Sequence, residues 1–162
     1  MKIVIFSDSH GNCGNMRETL KKERPGMVFY LGDGLSDIEQ VMERFPEIEL
    51  HKVAGNCDWR RDCPNEELVL VQGIPMLLAH GHLHGVKSGY ESYLRYGQKR
   101  GMKVLFSGHT HDACIWEDRG VTILNPGSVG SYYAPTYGVV EAEDGLIRRM
   151  VIRKVEHPVY ER

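Results

Sequence analysis

Residues 2–12 read Lys2-Ile3-Val4-Ile5-Phe6-Ser7-Asp8-Ser9-His10-Gly11-Asn12. After Lys2 the first part is continuously apolar with no alternation, which describes a strand buried on both faces. The polar run that follows holds a carboxylate and an imidazole two positions apart. Residues 13–23 then have helical character and are stopped by Pro25-Gly26. Strand, polar loop and helix make the repeating unit of an α/β sheet.

The unit recurs along the chain. Residues 27–31 read as a second buried strand, followed by Gly32-Asp33-Gly34. Ser36 and Glu39 have the spacing of a capping box, so a helix is expected to start there and end near Phe45-Pro46. A third strand, 49–54, runs into Gly55-Asn56-Cys57-Asp58. Residues 67–72 and 74–80 read as strands around Gly73, and Pro75 puts the start of the second at an edge or a bulge. Ser88 and Glu91 form a second capping-box spacing, with Tyr90, Tyr93 and Leu94 as the buried stripe of a helix. A short strand, 103–107, ends in Gly108-His109-Thr110-His111. The remainder reads as strands 113–117, 121–124, 136–142 and 146–155, with hairpin turns at Asp118-Arg119-Gly120 and Asp144-Gly145. The expectation is one α/β domain over residues 1–162, with mixed sheets.

Composition bounds the function. The 41% hydrophobic and 26% charged shares match a globular chain with a sizeable core. A net charge of -2 supplies no basic excess for bulk nucleic-acid binding. The longest apolar run, Met27-Val28-Phe29-Tyr30-Leu31, is far short of the roughly 18 residues that suggest a membrane span. No secretory signal is readable at the amino terminus, so a cytoplasmic location is expected. Cys13, Cys57, Cys63 and Cys114 show no C-x-x-C spacing, which excludes a zinc ribbon or a thioredoxin-like pair.

Chemistry-bearing side chains collect after the strands. They are Asp8 with His10, Asp33, Asn56, His80 with His82, and His109 with His111. In α/β sheets ligands bind outside the carboxyl ends of the strands, so neighbouring strands would bring these clusters together. The donors are oxygen and imidazole, which select first-row ions such as Mn, Fe, Co, Ni or Zn over Ca or a structural zinc. They are too many for one tetrahedral ion and suit two ions about 3.5–4 Å apart that share a carboxylate. Asp33, alone between two glycines, is the natural bridge. Taken singly, most of these motifs are ordinary turn signals. Paired histidines directly after an apolar strand have no obvious packing role, and the order of all five clusters carries the inference.

That order, Asp8-x-His10, Gly32-Asp33, Gly55-Asn56-Cys57-Asp58, His80 and Gly108-His109-x-His111, resembles the calcineurin-like metallophosphoesterases. The Gly-Asn-Cys-Asp variant and the short chain are similar to the small YfcE-type phosphodiesterases, as is the later loop Asn125-Pro126-Gly127-Ser128. The resemblance implies a four-layer α/β/β/α sandwich of two mixed sheets. It implies one divalent ion on Asp8, His10, Asp33 and His111 and a second on Asp33, Asn56, His80 and His109. Mn²⁺ comes first among the candidates, with Ni²⁺, Co²⁺, Fe²⁺ or Zn²⁺ as alternatives. It implies hydrolysis of a small phosphate ester, a diester above all, by direct attack of a water bridging the ions. Asn12 and His82 are candidate substrate contacts. Asp58 reads either as the partner of a ligand imidazole or as a turn residue. Cys57 stands at a catalytic position where the wider family has His. The same fold also serves as a non-catalytic scaffold, as in the retromer subunit that has lost a ligand histidine, whereas all seven ligand positions are filled here. Arg60 and Arg61 are the basic pair beside a motif. Tyr132-Tyr133 and Tyr137 read as exposed aromatics and leave a homodimer contact open.

Overall fold

The computed structural model describes residues 1–60 and 62–160, so Arg61 lies outside the described residues. The unbroken apolar run of β1 (Lys2–Phe6) is explained by two cores, one on each face. Ile3 and Ile5 point into one, while Val4 and Phe6 point into the other. The same alternation runs through β2 (Met27–Tyr30), where Met27 and Phe29 share the first core and Val28 and Tyr30 the second.

Between them come α1 (Gly14–Glu23), then α2 (Leu35–Met42) and β3 (Glu49–Lys52). The chain continues through β4 (Glu66–Val71), β5 (Ile74–Ala79), α3 (Glu91–Lys99), β6 (Val104–Phe106), β7 (Cys114–Asp118), β8 (Val121–Asn125), β9 (Thr136–Glu143) and β10 (Leu146–Lys154). One sheet has the order β10-β9-β1-β2-β3 and the other β4-β5-β6-β8-β7. Both are mixed: β1, β2 and β3 run parallel beside antiparallel β9 and β10, and β5, β6 and β8 run parallel between antiparallel β4 and β7. The first core lies between the sheets and joins Ile3, Phe29, Met76, Leu78 and Phe106. The second packs α1 and α2 on the first sheet, and a third packs Tyr93 and Leu94 of α3 on Leu77 and Leu105. This is the four-layer α/β/β/α sandwich. No helix among the described residues is long and apolar enough to cross a membrane.

Several local expectations fail for stated reasons. Neither capping box forms. Gly34 is the N-cap of α2 and Ser36 lies inside the helix, exposed, because a carboxylate from another loop already serves these amides. Ser88 ends a short 3-10 turn, Val86–Ser88, and Tyr90 precedes α3 with no side-chain cap. Pro75 sits in an internal strand, paired with Leu70 beside the hairpin. A proline near a strand start loses little, and its carbonyl still accepts from the Lys103 N–H. Tyr137 is not a surface residue: it is 1% exposed and donates its hydroxyl to Glu23, whereas Tyr132 and Tyr133 are exposed.

Glu23 closes α1 and is buried. A negative charge at a helix carboxyl end is unfavourable. Here Lys2 Nζ lies 2.6 Å from one carboxylate oxygen, and Tyr137 (2.8 Å) and Arg153 (2.6 Å) donate to the other. Burial pushes its pKa up, but these three partners outweigh it and bring it down to about 2. The interaction ties α1 to β1, β9 and β10. Its stabilisation is present above the unfolded pKa near 4.5 and is lost as pH falls towards 2. Glu23→Gln is therefore expected to cost about 2–3 kcal/mol at pH 7 in urea unfolding. The difference from wild type should shrink between pH 4.5 and 3; a difference that is constant with pH contradicts the assignment.

Candidate metal centre

The strand ends converge as the sheet order requires. Asp8 follows β1 and Asp33 follows β2, and the two loops continue the strand pairing: Asp8 N–H donates to Gly32 O (3.0 Å) and His10 N–H to Asp33 O (3.2 Å). In the other sheet, Gly108 N–H donates to His80 O (3.0 Å). Ser128, after β8, donates its hydroxyl to Asp8 O (2.8 Å), so the loop from Asn125 to Ser128 bridges the two sheets over the centre.

Asp8 and Asp33 are built alike. Both are buried. Asp8 Oδ2 accepts from the Ser7 hydroxyl (2.5 Å) and the His109 N–H (3.1 Å). Its Oδ1 faces imidazoles: His111 Nε2 at 3.2 Å, His10 Nε2 at 3.6 Å and His80 Nε2 at 3.9 Å. Asp33 Oδ1 accepts from the Cys57 N–H (2.8 Å), and its Oδ2 faces His80 Nε2 at 3.3 Å and His10 Nε2 at 3.8 Å. Each carboxylate thus spends one oxygen on a backbone amide and presents the other to the histidines. Burial alone would raise both pKa values. His10, His111 and His80 hold Asp8 well below the carboxylate range, and His80 with the Cys57 amide brings Asp33 to about 2. Conversely, the Asp8 contact raises His10, and Asp33 with Asp8 raises His80 against the effect of burial.

The donor set fits divalent ions. His80 is fully buried, and its Nδ1 lies 2.7 Å from Leu31 O. A carbonyl only accepts, so Nδ1 carries a proton and Nε2 is left to face the carboxylates. Nε2 lies 3.3 Å from Asp33 Oδ2 without making a hydrogen bond. An orphaned buried nitrogen beside two carboxylates is what a cation would satisfy. Ligand atoms of Asp8, His10 and His111 lie within 4.8 Å of one another, and so do those of Asp33, His80 and His109. A third overlapping group is His10, Asp33 and Cys57.

The backbone is strained here. Asp8, His10, Asp33, His109 and His111 all have positive φ, between 44° and 68°. Asp and His tolerate this region better than most residues, but it still costs them about 1–2 kcal/mol each. Close approach makes its own demand. A Cβ on Gly55 would stand 2.1 Å from Asp33 Oδ1, and one on Gly108 would stand 1.9 Å from Ser7 Oγ.

Asp58 has a different role from the one sequence offers. It bonds no imidazole and is not a plain turn residue. Its two oxygens accept the N–H groups of Asp33 (2.6 Å), Gly34 (3.0 Å), Leu35 (3.1 Å) and Gly55 (2.9 Å). It caps α2 from outside and fastens the Asp33 loop to the Asn56 loop. Asp37 does the same for the first loop, accepting from Ser9 Oγ (2.6 Å) and the Gly11 N–H (2.7 Å). Asn125, fully buried, donates to Gly108 O, Thr110 Oγ1 and Tyr90 Oη and so fixes the His109 loop. Sequence left Asp37 and the amide of Asn125 unassigned; the Asn-Pro-Gly-Ser run was the one signal for the latter.

The remaining sequence candidates are placed as follows. Asn56 is exposed, between Gly55 against Asp33 and Cys57, whose thiol it contacts at 3.5 Å. Cys57 is exposed; lost hydration and the Asp33 carboxylate push its thiol up. His82 is half-buried, its ring centroid 5.5 Å from that of His80 and 6.1 Å from that of His109, with a buried, unpartnered Nδ1. Burial and the His80 charge lower its pKa. Asn12 is buried, and its Oδ1 accepts from the Gly14 N–H (3.2 Å) at the start of α1. Arg60 is taken up by Glu39 and Asp62.

Comparison with known proteins agrees with this geometry. Residues 1–145 match the Calcineurin-like phosphoesterase superfamily domain. The chain is 32% identical over 130 residues to the probable metallophosphoesterase YsnB of Bacillus subtilis, covering 80% of this chain and 75% of that protein. It is 28% identical over 174 residues to the phosphodiesterase MJ0936 of Methanocaldococcus jannaschii, covering 94% and 99%. Among solved structures, Vps29 of Entamoeba histolytica complexed with Zn²⁺ superposes with a TM-score of 0.80 at 21% identity, covering 96% of this chain and 98% of that one, and shows the shared fold. Fold, converging strand ends and sequence similarity together make this chain a member of the calcineurin-like phosphoesterase superfamily.

Proposed function

We propose that this protein is a metal-dependent phosphodiesterase that hydrolyses small phosphate esters at a centre of two divalent transition-metal ions, Mn²⁺ first among them. The observation that carries the reading is the pair of buried carboxylates, each with one oxygen on a backbone amide and the other facing histidines. Asp8, His10, Asp33 and His111 would hold one ion, and Asp33, Asn56, His80 and His109 the other. When bound, such ions supply Lewis acidity to the phosphoryl group and an activated water for direct in-line attack. No side-chain nucleophile is needed. The relative named a phosphodiesterase supports the diester class.

The chain's own residues hold and orient. His80, with Nδ1 fixed on Leu31 O, offers Nε2 in one tautomer. Asp58 and Asp37 fix the loops on which the donors stand. Cys57, with its raised thiol pKa, would face the phosphoryl group without being a ready proton donor. His82 and Asn12 would flank the substrate. Diesters with activated leaving groups are therefore the expected substrates. All seven donor positions are filled here, which favours catalysis over a scaffold of the same fold.

The reading is tested with bis(4-nitrophenyl) phosphate. Chelation should abolish turnover, and Mn²⁺, Ni²⁺ or Co²⁺ should restore it better than Mg²⁺, which is a poor match for imidazole. Full turnover by verified metal-free protein would overturn it. Asp33→Ala should lose both ions and Asn56→Ala should weaken one, as read by metal analysis; two tightly held ions in Asp33→Ala would remove Asp33 as the bridge.

Asp58 gives a separate expectation. Asp58→Ala should leave the fold intact by circular dichroism and weaken metal binding by about 10–100-fold, although the carboxylate touches no ligand side chain. Unchanged metal affinity would mean that the two loops hold their places without it.

A further inference from the structure

Among the described residues, one of the groups that bring metal-type ligand atoms within 4.8 Å of one another holds a sulfur: His10, Asp33 and Cys57. Cys13, Cys63 and Cys114 belong to no such group. The candidate donors at the centre are therefore not oxygen and imidazole alone.

Cys57 is held in place by its own backbone. Its N–H donates to Asp33 Oδ1 (2.8 Å), and Asp33 is the carboxylate placed between the two ions. With that amide fixed, one side-chain torsion sets the distance from Sγ to the carboxylate. The sulfur is on an exposed residue and acts as an acceptor, taking an N–H from Asn56 Nδ2 at 3.5 Å. A second observation points to a cation at the same carboxylate. His80 Nε2, fully buried and without a hydrogen-bond partner, lies 3.3 Å from Asp33 Oδ2. His10 Nε2 lies 3.8 Å from that same oxygen. Lost hydration and the Asp33 carboxylate oppose a free thiolate, but a bound cation reverses this balance.

We propose that Cys57 is a sulfur ligand of the ion held by His10 and Asp33, and that this position takes thiophilic ions, Co²⁺ or Zn²⁺, in preference to Mn²⁺. The sulfur gives a lone pair to the ion and its proton passes to water; no electron is transferred. The proposal rests on the two-ion reading and refines it at one position. The position on Asp33, Asn56, His80 and His109 keeps its oxygen and imidazole donors.

The test titrates Co²⁺ into the metal-free chain. A sulfur-to-cobalt charge-transfer band in the near ultraviolet is expected in wild type and in Cys114→Ser. Cys57→Ser should lack the band, keep its circular dichroism and still bind Co²⁺ through its other donors. In competition with a chromophoric chelator, Cys57→Ser should lose about tenfold in Co²⁺ affinity and much less in Mn²⁺ affinity. Cobalt bound to wild type without the band, or a band that persists in Cys57→Ser, overturns the proposal. Equal losses for the two ions overturn the preference for thiophilic metals. The phosphodiesterase reading fails separately, if the cobalt-loaded chain shows the band and hydrolyses no diester. A chain that binds no Co²⁺ overturns both.

Discussion

Two carboxylates are buried where two sheets meet, and the centre is organised around keeping them charged. A buried carboxylate without partners is costly enough that it would take up a proton or unfold its surroundings. Asp8 and Asp33 avoid this by dividing their oxygens. One oxygen of each is satisfied by a backbone amide from another loop, His109 for Asp8 and Cys57 for Asp33. The other is balanced by imidazoles. The amides must therefore come from loops that are far apart in sequence and adjacent in space. Only a fold that places the ends of β1, β2, β3, β5 and β6 side by side supplies them.

This constraint accounts for the unusual backbone. A chain leaving a strand and turning at once to present its side chain inwards enters the left-handed region. Five of the metal-type residues occupy it. Such strain persists only where the surroundings over-determine it. Here they do: Asp58 takes four amides, Asp37 holds the first loop, and Asn125 holds the third. In the centre the strained residues are the candidate donors, and the residues that restrain them bond backbone and neighbouring polar groups rather than the donor side chains.

The same economy explains which readings of local sequence failed. Ser36 and Glu39 have the spacing of a cap, yet Asp58 already serves the first amides of α2, so the serine is left exposed. Ser88 lies in a separate 3-10 turn before α3. Tyr137 looks like its exposed neighbours in composition, but it lies on β9 and answers the buried Glu23. In each case a contact from a distant segment overrode the local pattern.

What the sequence determined by itself was the order of buried strands, because a strand covered on both faces must be apolar throughout, and the identity of the candidate metal donors, because imidazole and carboxylate pairs after such strands have no packing use. Ile3–Phe6 and Met27–Tyr30 were legible for the first reason, and Asp8, His10, Asp33, His80, His109 and His111 for the second. The tertiary structure alone decided which groups support those donors. Asp58, Asp37 and Asn125 are ordinary residues in their own neighbourhoods; Gly55 apart, the groups that Asp58 and Asp37 bind are 23 or more residues away, and those to which Asn125 donates are 15 or more. A carboxylate that caps a helix and one that closes a turn look alike in sequence. They differ only in which amides the folded chain brings within reach.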